Sequence, residues 1–332
     1  MAKAEIFRVI DDHRAAINRG EKAMLQEMSR QWAASYLYLQ AQTDNLVAVI
    51  QSKIDAGELV EMEYYWSLDR YQTMMENAET TIDRYNEAAA GVISGEEADA
   101  VEIGREDARE LINIEEPDDP MWTRVNQREA RIMSGMLSDK SPLRQLLDKS
   151  YLEYKEKIDQ VLTIGISTGQ GSAWIASMLA DAGKIPLQRA LTIARTEVNR
   201  TYRQANLETM RSSRAMKGYR RMCYPQTACF ACLMMDGEYY DKKEDFSDHP
   251  NGKCSAVPVT NHFDPINEPG WERGQDWFAQ QSEEDQRRIM GAGRYDLWKN
   301  QGVNPRDMVY IKQNPVWGGS PTVKPLRDLL DR

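Results

Sequence analysis

Apolar residues in the first part of the chain recur at steps of three, four and seven positions. The series comprises Ile6, Val9, Ile10, Ile17, Met24, Leu25, Met28, Trp32, Leu39, Leu46, Ile50 and Ile54. Steps of this size place side chains on one face of an α-helix, so the pattern predicts a helix over residues 4–54. A second apolar series predicts another long helix over residues 59–90 or beyond. The turn signal at residues 55–58 lies between the two, and together they predict an antiparallel helical hairpin.

The helical pattern stops after this hairpin and then resumes. An acidic segment at residues 115–120 contains Pro117 and Pro120, and it cannot continue a helix. Helical spacing returns at residues 121–134, again after Ser141 and Pro142, and over residues 185–221, where Pro186 suits the start of a helix. These signals predict an N-terminal helical hairpin over residues 1–116 and a helical middle domain over residues 117–221.

Residues 222–332 differ in character from the rest of the chain. Helical periodicity gives way to Gly, Pro, Asn, Asp and aromatic residues, which predicts a compact irregular module with short strands. Within it, Asp236 and Gly237 stand between apolar flanks and predict a β-hairpin, while residues 282–300 predict one more helix. The expected fold class is therefore mainly α, with a small α+β module at the C-terminal end.

Basic residues accumulate along the helix predicted over residues 185–221. On a helical projection they fall within an arc of about 120°. The set comprises Arg200, Arg203, Arg211, Arg214, Lys217 and Arg221. One interpretation is a basic stripe that faces DNA phosphates or an acidic partner surface. The other is a solvated helix face that balances the acidic hairpin, and the sequence leaves both open.

Charge and cysteine usage restrict the class of protein. The chain has 332 residues and a net charge of -10, which argues against a protein whose main task is to coat nucleic acid. No run approaches the roughly 18 apolar residues that would cross a bilayer. Four cysteines are too few for a secreted disulfide scaffold of this length, and all four lie between Cys223 and Cys254. We therefore expect a reducing cytoplasm and cysteines that bind a metal.

The cysteines are spaced as metal ligands. Cys229 and Cys232 form a Cys-x2-Cys pair, and His249 and Cys254 form a second pair after an interval of 16 residues. Two such pairs on separate loops can complete a tetrahedron, so the spacing predicts a structural Zn²⁺ site with four protein ligands. An irregular module of about 40 residues around these ligands also needs such a crosslink, because it buries little apolar surface alone. The alternatives are that the cysteines pack as small hydrophobic residues, or that Cys223 replaces one ligand.

Three segments in this order resemble the phage Mu protein F-like family of minor head proteins. The first is the glycine-containing turn and helix at residues 165–179, and the second is the Ala-Arg-Thr-Glu helix at residues 190–203. The third is the Cys/His module, with Asp236-Gly237 and the sequence His249-Pro-Asn-Gly-Lys-Cys254 inside it. The resemblance covers residues 120–260. It departs from the family at Gly252 and Lys253, where the family commonly has cysteine and arginine, and this leaves Cys254 as the closing thiol.

The resemblance implies a non-catalytic minor head (capsid) protein that acts in head morphogenesis. It implies association with the portal, contacts with major capsid or scaffolding proteins, and contact with packaged double-stranded DNA. The expected location is the virion head, assembled in the cytoplasm of the host bacterium, with no membrane partner. The expected fold is a helical hairpin and helical middle region followed by the zinc-binding Cys/His module.

Two other functions remain open on the residues alone. Asp248-His249-Pro250 and Asn261-His262 could supply the acid, base and metal ligands of a His-Asn-His nuclease. The second Cys-x2-Cys usual in zinc-flanked nucleases is missing, however. A DNA-binding regulator could use the basic helix beside the zinc module, but the segment has no recognition-helix motif and the chain is acidic.

Overall fold

The chain folds mainly into α-helices. The computed structural model describes residues 2–56, 69–117, 122, 143–167, 172–267, 271–314 and 318–330. The long helices among these residues are α1 (Ala2–Asp55), α2 (Asp69–Glu115), α3 (Leu143–Ser167) and α4 (Ser172–Arg211). The helix predicted over residues 4–54 is thereby confirmed. The predicted start of the second helix at residues 59–68, and most of residues 121–134, lie outside the described residues.

Helix α2 continues beyond residue 90 and ends where the acidic segment begins. Its last residue is Glu115, two positions before Pro117. A residue that precedes proline is disfavoured in the α conformation, so the predicted boundary near 116 has a local steric cause. Residue 104 of α2 is a glycine because α4 passes very close to it. A Cβ at this position would lie 2.5 Å from the carbonyl oxygen of Tyr202.

The helix predicted over residues 185–221 is wrong at both ends. Pro186 lies inside α4, which begins at Ser172. The helix ends at Arg211 because two serines replace its hydrogen-bond pattern: the Ser212 hydroxyl donates to the Thr209 carbonyl (2.7 Å), and the Ser213 hydroxyl accepts from the Ala215 amide (3.1 Å). Residues 216–222 then form a strand rather than helix. The basic residues therefore do not share one helical face.

A small antiparallel sheet follows α4. Its strands are β1 (Met216–Met222), β2 (Tyr239–Asp241) and β3 (Ser255–Thr260), in the order β2-β1-β3. The pairing Tyr219↔Tyr240 aligns β1 with β2, and the pairing Arg220↔Val257 aligns β1 with β3. The β-hairpin predicted around Asp236-Gly237 is wrong, because its first apolar flank is the short buried helix α5 (Phe230–Met235). Gly237 supplies the positive φ (78°) at the turn into β2.

The C-terminal segment consists of short elements. They are α6 (Gly274–Gln280), α7 (Glu283–Met290), α8 (Ala292–Gln301), β4 (Val309–Asn314), β5 (Gly318–Val323) and α9 (Arg327–Leu330), with 3-10 turns at Pro265–Asn267 and Pro305–Met308. The helix predicted over residues 282–300 is divided at Gly291, whose φ of 86° breaks it. Ser282 caps α7 by accepting a hydrogen bond from the Asp285 amide. Strands β4 and β5 form an antiparallel pair.

The chain divides into two compact units. One comprises residues 1–19, 97–138 and 198–332, and the other comprises residues 20–96 and 139–197. The first contains the small sheet, whose Tyr219 packs with Ile112 and Leu207 of the helices. In the second, the Trp32 ring packs edge-on against the rings of Tyr85 and Tyr154, whose centroids lie 5.0 Å and 5.9 Å from its own. The predicted division at residues 116 and 221 stays a prediction, because much of 117–142 lies outside the described residues.

Within the described residues, no helix is both long enough and apolar enough to span a bilayer.

Candidate metal centre

Helix α5 brings the first cysteine pair together. Cys229 is the N-cap residue of α5, and Cys232 lies in its first turn. Residues three apart in a helical turn lie on the same side, so both sulfur atoms face one point. Every residue of α5 is buried, whereas Cys229 is exposed. The pair therefore has one sulfur in the core and one at the surface.

A tight turn supplies the second pair. The Gly252 amide donates to the His249 carbonyl (2.8 Å), and Asn251 adopts a positive φ of 60°. Proline at the second position and asparagine with positive φ at the third are typical of a type II turn, so the sequence His249-Pro-Asn-Gly252 folds locally. Cys254 follows immediately before β3 and is fixed by the sheet.

The predicted ligands lie in two overlapping groups that share Cys232, and together these groups form the Cys/His cluster. The ligand atoms of Cys229, Cys232 and His249 lie within 4.8 Å of one another, and those of Cys232, Asp248 and Cys254 do so as well. The distance from Cys229 Sγ to His249 Nε2 is 3.3 Å. Metal bonds of about 2.3 Å to sulfur and about 2.1 Å to nitrogen imply a separation of about 3.6 Å in a tetrahedron. This edge of the cluster therefore has the size of a tetrahedral zinc site.

The histidine is oriented for coordination. His249 Nδ1 lies 2.8 Å from the carbonyl oxygen of Pro250, which can only accept a hydrogen bond. The proton of a neutral imidazole is then on Nδ1, and the lone pair of Nε2 faces the sulfur atoms. A cleft of about 440 Å³ opens onto all four ligands and gives a path for a metal ion. The cluster can bind a metal.

The electrostatics of the cluster favour a cation. The hydrogen bond with Cys232 lowers the pKa of Cys229 to about 7. The hydrogen bond with Cys232 also raises the pKa of His249 to about 9. The negative charge of the sulfur atoms favours the protonated imidazole of His249 at short range. A divalent ion among the same atoms would be stabilised by the same sulfur charge.

Cys223 stands apart from these ligands. It is buried, its amide donates to the Asp236 carboxylate (2.6 Å), and it belongs to neither group of close ligand atoms. Burial raises the pKa of the Cys223 thiol. A buried thiol in an apolar core behaves as a small hydrophobic residue, and we infer that role for Cys223.

A buried ion cluster lies directly behind the ligands. Arg221 donates to Asp248 Oδ1 (3.1 Å), to the Ser247 carbonyl (2.5 Å) and to Cys232 Sγ (3.4 Å). Arg203 donates to the Gly252 carbonyl (2.9 Å) and lies 3.1 Å from Asp248 Oδ2. Burial acts to raise the pKa of Asp248, but the two guanidinium groups outweigh it and hold this pKa below its usual value. The carboxylate is thus ionised and paired.

Asp248 also explains the glycine that departs from the family pattern. A Cβ at Gly252 would lie 2.2–2.3 Å from the carboxyl atoms of Asp248. Since Asp248 is fixed by two arginines, it has little freedom to move away. Cysteine at residue 252 is therefore incompatible with this arrangement of the loop.

The six basic residues of the predicted stripe have separate environments. Arg203 and Arg221 are buried, Arg200 is half-buried, and Arg214 and Lys217 are exposed. Arg211 pairs with Glu208 and Asp245 and donates to the Glu244 carbonyl. The interpretation of Arg203 and Arg221 as part of one exposed stripe does not fit their burial. The pairing of these two arginines with Asp248 was not predicted from the sequence. The available hint was that Asp248 directly precedes the candidate ligand His249.

Comparison with known protein families gives a match over part of the chain. The model described as Phage Mu protein F like protein matches residues 156–257, which include all of α4 and all four candidate ligands. The match confirms, over this part of the chain, the resemblance to phage Mu F-like head-morphogenesis proteins. Proteins of this family are generally structural rather than enzymatic. No curated protein and no solved structure matches the chain.

Proposed function

We propose that this protein is a minor head component that acts in assembly of a phage head and remains in the virion. The observation that carries the proposal is the extent of the family match, which runs from α3 through α4 to the start of β3 and includes the Cys/His cluster. The long helices offer extended surfaces for contacts with other head proteins. The portal is the partner we propose first, with major capsid or scaffolding proteins beside it.

We propose further that the cluster binds one structural Zn²⁺. Cys229, Cys232, His249 and Cys254 are the ligands, and four protein ligands leave no position open for catalysis. Bound there, the ion would crosslink α5 to the loop that leads into β3. The chain's own contribution is to hold the imidazole through Pro250 and the loop through Asp248.

The assembly proposal is tested by co-expression of the phage head proteins with and without this chain. Procapsids are isolated by sedimentation, and their content of this chain and of the portal is measured. We expect the chain to sediment with particles, and its omission to reduce the number of portal-containing heads. Full assembly without the chain, combined with its absence from the particles, would overturn the proposal.

The proposal also includes contact with packaged DNA. Arg214 and Lys217 are the exposed members of the basic set and are the residues we propose for it. Replacing both with glutamine should weaken binding of duplex DNA in fluorescence anisotropy, and the difference should shrink as salt rises. Identical binding by the wild type and the double variant at low salt would remove DNA contact from the proposal.

A nuclease function finds less support. Asp248 is ion-paired with two arginines, and His249 faces the cysteines, so neither is free to act on a substrate. We therefore propose a role without catalysis. Incubation of the purified protein with plasmid DNA and divalent ions should give no cleavage, and cleavage that His262→Ala abolishes would favour the nuclease instead.

A further inference from the structure

Three charged residues are buried against the candidate metal centre. Arg221 is 1% exposed, Arg203 is 7% exposed and Asp248 is 8% exposed. Buried charges are costly unless they are paired, and here two arginines share one carboxylate. The trio therefore carries one net positive charge inside the protein.

Several contacts direct this charge towards the ligands. Arg221 Nη2 reaches both Asp248 and Cys232 Sγ, and Asp248 Oδ1 in turn accepts the backbone amide of His249 (3.0 Å). Arg203 holds the carbonyl of Gly252 in the turn between His249 and Cys254. Both guanidinium groups also lie over the ring of Phe246, at 4.9 and 5.7 Å. Each of the three charged side chains thus contacts a ligand or the loop that carries two of them.

The charge of the proposed centre is complementary. Three thiolates and one neutral imidazole around a divalent ion leave one net negative charge. The trio supplies one net positive charge, which would balance the negative charge of the three-thiolate centre.

We propose that Arg203, Asp248 and Arg221 are positioning residues that neutralise and hold a three-thiolate metal centre. This inference rests on the proposed zinc site. Arg221 stabilises the sulfur of Cys232 through its hydrogen bond, and Arg203 fixes the loop that carries His249 and Cys254. Residues that surround metal ligands in this way set metal affinity, and their loss costs about ten- to a hundredfold.

The first experiment compares neighbouring arginines of the same strand. Arg221→Gln should weaken Zn²⁺ binding about ten- to a hundredfold in competition with a chromophoric chelator. It should also alter the thiolate-to-cobalt absorption band of the Co²⁺-loaded full chain. Arg220→Gln is the matched control, because Arg220 pairs with Asp264 instead and should leave both readouts unchanged. Equal affinity and equal spectra for wild type and Arg221→Gln would overturn the inference.

A second experiment separates charge from shape. Arg203→Gln leaves the centre with one net negative charge and should weaken Zn²⁺ binding, whereas Arg203→Gln with Asp248→Asn restores neutrality and should recover part of the affinity. No recovery in a double variant with wild-type circular dichroism would contradict charge compensation. A wild-type chain that binds neither Zn²⁺ nor Co²⁺ would instead overturn the proposed zinc site. Failure of the charge-compensation inference is thereby distinguished from failure of the zinc-site proposal.

Discussion

Asp107 gives the protein a pH-dependent stability that can be calculated from its environment. The side chain is 2% exposed and accepts hydrogen bonds from the Tyr202 hydroxyl and the Asn206 amide of α4. Burial raises the pKa of Asp107 to about 7, although the Tyr202 hydrogen bond acts against this rise. In the unfolded chain the carboxyl returns to its ordinary pKa of 3.8.

The direction and size of the effect follow from linkage. Between about pH 4 and about pH 7 the folded chain keeps a proton that the unfolded chain releases, so the free energy of unfolding falls as the pH rises. A tenfold difference in proton affinity corresponds to about 1.4 kcal/mol, and the loss over the whole interval is therefore about 4 kcal/mol. At lower pH both states are protonated, and this contribution no longer changes.

The test measures the free energy of unfolding by urea denaturation at several pH values across this interval. Asp107→Asn cannot ionise, so its stability should fall less steeply with pH than that of the wild type. Asp99→Asn is the matched control, since Asp99 is exposed on the same helix and should keep the wild-type slope. If wild type and Asp107→Asn showed the same slope, the proposed burial of an uncharged carboxyl would be refuted.

Three further substitutions test local features of the fold. Gly252→Ala should destabilise the chain by about 1–3 kcal/mol, because the new Cβ would meet the Asp248 carboxyl at 2.2 Å. The same variant should bind Zn²⁺ more weakly in a chelator competition. Unchanged stability and unchanged Zn²⁺ affinity would contradict the turn geometry. Ser282→Ala removes the cap on the Asp285 amide and should cost about 1 kcal/mol in thermal denaturation, with Ser282→Thr as the control. Gly302→Ala should cost about 1–2 kcal/mol by the same assay from backbone strain alone, since φ is 70° and nothing lies within 4 Å; Gly302→Asn should cost less.

Local patterns in the sequence were sufficient to predict several parts of the structure. The apolar spacing of residues 4–54 predicted α1, and the Cys/His spacing predicted a cluster that could hold a metal. Each depends on residues a few positions apart or on one family motif. The turn at His249-Pro-Asn-Gly252 is of the same kind, because proline and asparagine determine it locally.

The basic segment could not be predicted in the same way. Residues 200–221 have basic side chains at helical spacing, yet Ser212 and Ser213 end the helix and β1 pairs with strands that follow later in the chain. Arg221 is buried because Asp248, 27 positions later, lies beside it. A partner so distant in sequence leaves no periodic signal. The sequence alone therefore does not distinguish an arginine in a buried ion pair from an arginine on an exposed helix face.

Metal content tests most directly the proposal that a metal ion holds the C-terminal module together. The protein would be purified without chelators and analysed by plasma mass spectrometry, beside the double variant Cys229→Ser with Cys232→Ser and the control Cys223→Ala. We predict about one zinc per chain in the wild type and in the Cys223 control, and none in the double variant. A wild-type chain without zinc, or a double variant that retains it, would contradict the claim.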